Sequence, residues 1–188
     1  SPTSHGRFCR LGANVSLLSD LELVHKYGAD HIGLYRTEFP FLVRGDFPTE
    51  EEQFDLYCKV IEAAAGKTVT IRTLDVGGDK LFSYLDYPKE TNPYLGWRAV
   101  RVSLERDDIF RAQIRAVLRA SARGPTSLMI PMVSTVEEVR TIKCIVNDEK
   151  SKLATAGRPF DASIALGIMV EVPAAVRILH HLLHHVDF

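Results

Sequence analysis

The sequence predicts an α/β protein built of parallel β/α units, and three observations carry that prediction. Short apolar runs rich in β-branched residues alternate with longer segments of helical periodicity. No Asn-Gly type of turn joins two neighbouring strand-like runs, so hairpins are not indicated. The runs end in "YRTE", "IRTLD", "MIPM" and "MVEVP", and three of these ends carry charged residues.

In chain order, "ANVSLLS" (13–19) reads as a first short strand. "DLELVHKYGA" (20–29) has Leu21, Val24 and Tyr27 at helical spacing, with Asp20 as the expected N-cap and Gly28 near the C-cap. "HIGLYRTE" (31–38) reads as a buried strand. The segment 48–67 is a helix, with Thr49 and Glu52 in capping-box spacing and Gly66 at its end. "TVTIRTLD" (68–75) is a strand. A helix in two pieces spans about 96–122, followed by a strand at 127–133. The long helix 135–157 repeats the capping pattern with Thr135 and Glu138. A strand at 164–173, a helix at 174–185 and the start of a sixth strand at 186–188 complete the pattern.

A chain of 188 residues, 46% of them hydrophobic, suffices for one sizeable core. Its formal net charge of −1 gives no electrostatic case for nucleic acid or an anionic membrane as partner. No apolar run approaches the roughly 20 residues of a membrane helix, so membrane insertion is not expected. Cys9, Cys58 and Cys144 are far apart and lack metal-ligand spacing, which suits structural thiols in a reducing, cytoplasmic compartment. The last residues, Asp187 and Phe188, fall inside an apolar segment, so the chain is expected to be a fragment of a larger β/α fold.

The chemistry lies at the strand ends. Arg36, Thr37, Glu38, Arg72, Asp75 and Glu171 all fall at C-terminal ends of strand-like runs, the face that carries the site in β/α barrels. Two arginines on neighbouring strands form a planar, permanently charged clamp for phosphate or carboxylate. Lys80 adds a cation on the Gly77-Gly78 turn, and Glu171 is a hard oxygen donor suited to Mg²⁺. Taken singly, each arginine is as compatible with a structural ion pair as with a ligand. The pattern over three strands points to a small, multiply anionic molecule with a divalent cation.

"GLYRTEFPF", "PTEEEQ", "IRTLDVGGDK", "NPYLGWRAVR", "RAQIRAVLRAS", "IPMVSTVEEV" and "GIMVEVPAA", in that order from about residue 12 to the end, resemble the phosphoenolpyruvate-binding barrel of the Enzyme I family. That family comprises the phosphoenolpyruvate–protein phosphotransferases of bacterial phosphotransferase systems. The resemblance implies a (β/α)8 TIM-type barrel truncated after about five β/α units, with residues 1–11 a linker or strand start and 12–188 the partial barrel. It implies Mg²⁺ as cofactor and phosphoryl transfer to a histidine on a separate domain, which serves a histidine-containing phosphocarrier protein. Arg36 and Arg72 would hold the phosphate, Lys80 and Arg98 would line the same site, and Glu171 would bind Mg²⁺. The stretch 39–53 faintly resembles the nitrogen-type paralogue. A dikinase or synthase barrel that uses phosphoenolpyruvate, or a non-catalytic anion-binding half-barrel, stays open as an alternative.

The family's second metal ligand and its acid cysteine match no position of this sequence, so the isolated chain is expected to be inactive. The open edge implied by a truncated barrel leads to an expected homodimer or self-association. His5 of "TSH" lacks the family's flanking pattern and is read as a chance match. His180, His181, His184 and His185 are spaced one turn apart in pairs and read as a solvated helix face.

Overall fold

The computed structural model describes residues 3–42, 46–77, 92 and 96–188. Five strands form one sheet: β1 (Gly12–Val15), β2 (His31–Arg36), β3 (Val69–Arg72), β4 (Thr126–Ile130) and β5 (Ala165–Ile168). They lie side by side in sequence order and every pairing is parallel. Each crossover passes over the same sheet, as short β/α connections require. The sheet is open: β1 and β5 are its two ends, and it does not close into a barrel.

The helices are α1 (Asp20–Lys26), α2 (Phe39–Leu42), α3 (Glu50–Ala63), α4 (Val100–Glu105), α5 (Asp107–Ala120), α6 (Val136–Thr155), α7 (Pro173–Arg177) and α8 (Leu179–Leu182). A 3₁₀ turn, Ser121–Arg123, extends α5. The strands are shorter than their apolar runs. The strand ladders end at Arg36, Arg72, Ile130 and Ile168, with one further bond each from Thr73 N–H to Met129 O and from Met169 N–H to Ile130 O, both 2.9 Å. The helix foreseen over 174–185 is broken at Ile178, which separates α7 from α8.

Both foreseen capping boxes form. Thr49 Oγ1 accepts from Glu52 N–H while Thr49 N–H donates to the Glu52 carboxylate, and Thr135 and Glu138 do the same for α6. The N-terminus of α1 departs from expectation. Its N-cap is Ser19, with no side-chain cap, and Asp20 is the first helical residue. The Asp20 carboxylate turns back to accept from the Ser16 and Leu17 N–H groups, at 3.0 and 2.9 Å. A carboxylate serves there because it satisfies two loop donors at the positive end of the helix.

The core lies between the sheet and its helical layer. Ile32, Tyr35, Ile71, Leu128 and Ile130 of the strands meet Tyr57 and Ile61 of α3, Ile114 and Leu118 of α5, and Ile142 of α6. All four residues of β3 are buried, as befits the middle strand of a covered parallel sheet. A smaller cluster of Phe41, Leu74, Val76 and Val102 packs beyond the C-terminal strand ends.

An ionic lattice fastens the helices to one another. Glu149 of α6 is fully buried and accepts from Arg111 (2.6 Å) and Arg115 (3.0 Å) of α5 and from Lys152 (2.9 Å). Arg115 and Arg119 of α5 reach in the other direction to Glu50 of α3, at 2.6 and 2.7 Å. Burial alone would raise the Glu149 carboxyl. The hydrogen bonds from Arg111, Lys152 and Arg115 outweigh it and hold the group below its ordinary 4.5.

Two contacts fix the edges of the site. Gly77, at φ +123°, pairs with Arg98 in an isolated antiparallel bridge. A Cβ there would lie 2.2 Å from the Trp97 carbonyl oxygen, so only glycine allows this approach. At the far edge, Asp187 N–H donates to Leu166 O (2.8 Å) and Ile168 N–H to Phe188 O (3.1 Å). Residues 186–188 thus lie along β5, and the Phe188 ring covers Gly167.

Two outcomes follow. Glu149→Gln should lower stability by about 2 kcal/mol near neutral pH, the worth of hydrogen bonds to a charged group. Because the native carboxyl sits below 4.5, its contribution is complete above that pH and is lost as pH falls below it. The melting temperatures of parent and variant should therefore converge in acid, as calorimetry at pH 7 and pH 3 would show. Gly77→Ala should detach the bridge to Arg98 while sparing the sheet. Amide exchange of Ala99, whose N–H donates to Val76 O at 2.7 Å, should accelerate, and exchange of Ile71 should not.

Candidate functional site

β3 ends on Arg72, in register with Arg36 of β2 and Met129 of β4. The two arginines thus stand side by side on neighbouring strands, but their surroundings differ. Arg36 is exposed and borders a shallow pocket of about 190 Å³ with Ser16, Glu38, Phe39 and Leu42. It forms no ion pair among the described residues. Arg72 is buried.

Three neighbours hold the Arg72 guanidinium. Nη2 donates to Glu38 Oε1 at 2.5 Å and lies 3.3 Å from Asp75 Oδ2. Nη1 lies 3.7 Å from the Met169 sulfur, which places Arg72 against the segment leaving β5. Among the described residues its Nε has no hydrogen-bond partner, nor has the buried hydroxyl of the next residue, Thr73.

Arg98 meets the same carboxylate. Its Nε and Nη2 donate to the two oxygens of Asp75, at 2.9 and 3.2 Å, in the fork geometry that arginine makes with a carboxylate. Asp75 therefore stands between the two buried guanidiniums and orients both. Burying charges is tolerated only with such pairing. Arg101 ties the same segment to the end of β4, donating to Gly96 O (2.6 Å) and Ser134 Oγ (3.3 Å).

Glu171 is exposed beyond β5, and its Oε1 accepts from the Met132 N–H at 2.9 Å. Met132 has a positive φ of 60°, a strained conformation for a side-chain-bearing residue. That conformation aims its N–H at the glutamate. Glu171 Oε2 has no hydrogen-bond partner among the described residues, so one hard oxygen is available to a cation. No group of three His, Cys, Asp or Glu side chains converges on a metal position among the described residues. The four histidines at 180–185 form no such group, and the rings of His180 and His181 lie with centroids 3.8 Å apart, tilted by 43°. Lys80 and Asp79 lie outside the described residues.

A buried polar chain supports the site from below. Gln113 of α5 donates to Thr37 Oγ1 (3.3 Å) and the Tyr57 hydroxyl (3.1 Å) and accepts from the Leu74 N–H (2.9 Å). Thr37 Oγ1 donates to Arg72 O at 3.0 Å. Tyr57 O–H donates to Gln53 Oε1 (3.2 Å), and Gln53 Nε2 donates to Pro48 O (3.0 Å). Burial pushes the Tyr57 phenol above its ordinary 10, so it stays a donor. Sequence reading missed Gln113. The available signal was an amide at a core-facing position among Phe110, Ile114 and Val117.

The structure thus brings Arg72 and Arg98 together through Asp75, sets Arg36 beside them in register, and places Glu171 at the end of the next strand but one. Such a face can grip an anion with planar donors and offer an oxygen to a metal.

The model of the family described as PEP-utilising enzyme, PEP-binding domain, matches residues 1–188. A phosphoenolpyruvate-protein phosphotransferase of Buchnera aphidicola subsp. Baizongia pistaciae is 50% identical over 95% of this chain and 31% of its own length. One from Haemophilus influenzae is 51% identical over 94% of this chain and 31% of its own. One from Lactococcus lactis subsp. cremoris is 48% identical over 99% of this chain and 33% of its own. The chain therefore spans about a third of the length of these relatives. With the whole of its length matched and half of its residues shared, the chain belongs to the PEP-utilising enzymes through their PEP-binding domain.

Proposed function

We propose that this chain supplies the phosphoenolpyruvate-binding face of a phosphoenolpyruvate–protein phosphotransferase. In that reaction the phosphoryl group passes to a histidine on another domain, pyruvate is released, and a phosphocarrier protein is the onward acceptor. One observation carries the reading. Arg72, buried at the end of β3, presents an Nε without a hydrogen-bond partner among the described residues. A charged donor left over at a buried strand end suits an acceptor-rich ligand such as a phosphate.

Phosphoryl transfer demands little covalent chemistry of a protein; positioning and charge neutralisation do most of the work. Arg72 and Arg98 are held rigid by Asp75 and Glu38, so no reorganisation is needed when charge moves. Arg36, without an ion pair among the described residues, is the guanidinium best placed to respond to the ligand. The charges of Arg36, Arg72 and Arg98 are cancelled by those of Glu38, Asp75 and Glu171. A trianionic substrate would therefore enter a face whose described charges balance, and a dication offsets most of the added charge. Glu171 would hold Mg²⁺ together with substrate oxygens and water, and the bound ion would polarise the substrate's oxygens. Lys80 is assigned to the same face by its motif.

The reading places the protein in the cytoplasm. No helix among the described residues is long and apolar enough to cross a membrane. The outer edge of β1 and the exposed Phe8 and Leu11 favour self-association, as a homodimer or otherwise.

Calorimetric titration with phosphoenolpyruvate is the direct test. Arg72→Ala should weaken binding by on the order of tenfold, the loss of one charge-assisted hydrogen bond. Arg72→Lys should recover only part of this, because a point charge cannot replace the fork. Equal affinity in parent and Arg72→Ala would overturn the reading. For the metal, Glu171→Gln should raise the Mg²⁺ concentration needed for full binding by on the order of tenfold. Its binding without Mg²⁺ should be unchanged. A variant that loses both equally would show that Glu171 serves only to hold the Met132 N–H.

A further inference from the structure

Away from the strand ends, a pocket of about 490 Å³ opens in the helical layer. Its lining is Phe54, Arg119, Ala122, Arg123, Arg158 and Pro159. These come from α3, from the end of α5 and its 3₁₀ turn, and from the loop after α6. The segments lead into β3, β4 and β5, whereas the site above is built from residues that follow strands. The volume is that of a small-molecule site.

The lining is cationic and without a carboxylate. Arg119 is committed: its guanidinium lies 4.2 Å from the centre of the Phe54 ring and pairs with Glu50 and Glu51 at 2.7 and 2.8 Å. Those carboxylates line a neighbouring cleft that Arg119 and Arg158 also border. Arg123 and Arg158 form no ion pair among the described residues. The dipole of α5 explains a basic residue near its C-terminus, as Arg119 and Arg123 are. It does not explain Arg158, which a different segment brings to the same concavity. A dianion seated between these guanidiniums would be attracted by all of them, Arg158 also feeling the charge of Glu51. Paired guanidiniums match the oxygens of a phosphate in number and in plane.

We propose that this pocket is a second anion site, selective for a small phosphate-bearing molecule, in which Arg123 and Arg158 grip the phosphate and Phe54 with its stacked Arg119 forms the floor. It is separate from the Arg72 site and does not depend on the reaction assigned to that site.

Inorganic phosphate is the probe, titrated at constant ionic strength into the ¹⁵N-labelled 188-residue chain, with the arginine Nε–Hε signals observed. The signals of Arg123 and Arg158 should shift along saturable curves. Arg123→Ala/Arg158→Ala should weaken that binding at least about tenfold, read from backbone amides of Ala122 and the residues beside Pro159. Arg72→Lys should leave it unaltered. Both substituted side chains are exposed, so the fold should persist. Arg158→Glu, which reverses one charge, gives an independent variant and should abolish saturation. Shifts that rise linearly, that chloride reproduces, that survive in the double variant or that vanish in Arg72→Lys would each overturn the proposal.

Discussion

The site depends on a single carboxylate. Asp75 stands between the guanidiniums of Arg72 and Arg98 and offsets the charge of both, with Glu38 sharing Arg72. The constraint reaches outward from there. Arg98 must approach from a segment distant in sequence, so the chain after β3 has to turn sharply and run close to it. Gly77 makes that approach possible, because its bridge to Arg98 leaves no room for a Cβ. Glu38 closes the set from the β2 side, and Thr37 beside it holds the carbonyl of Arg72. The cluster is thus one electrostatic unit assembled from three separate stretches of chain.

Its rigidity is borrowed from the layer beneath. Gln113 touches the residue after β2, the loop after β3 and a tyrosine of α3 at once. An amide is suited to this position because it donates and accepts in one plane. The same helix, α5, carries on its other faces the arginines that bind Glu149 and Glu50. Helix α5 therefore fixes the site's backbone from one side while its own place is set by α3 and α6. A small displacement of α5 would be felt at Thr37 and Leu74 together.

Much of this was legible in the sequence. The alternation of strand-like and helical segments is carried by local periodicity, and the parallel five-stranded sheet follows from it. The capping boxes at Thr49 and Thr135 are short-range chemistry and appear where their spacing says. The end residues Arg36, Arg72 and Glu171 could be picked out because strand ends are where polar residues interrupt apolar runs. The limits were tertiary. Strand lengths were overestimated, because the residues after Arg72 and Ile168 stay apolar while the backbone leaves the sheet. Asp20 was expected to cap its own helix, yet a carboxylate one residue later binds the preceding loop equally well. The partners of Glu171 and Arg101 lie 39 and 33 residues away, and no local pattern encodes them. Gln113 looks, in sequence, like any polar residue on an amphipathic helix.

The contact between Phe188 and Gly167 has a consequence for how this protein can drift over evolutionary time. The strand leaves a hollow where glycine has no side chain, and the aromatic ring fills it to within what a single added carbon would occupy. The two positions therefore share one volume. A larger residue in the strand is admissible only if the ring gives way to something smaller, and a smaller residue at the ring's place leaves a void unless the glycine grows. Positions separated by twenty intervening residues become, in effect, a single character with two letters, inherited or exchanged together.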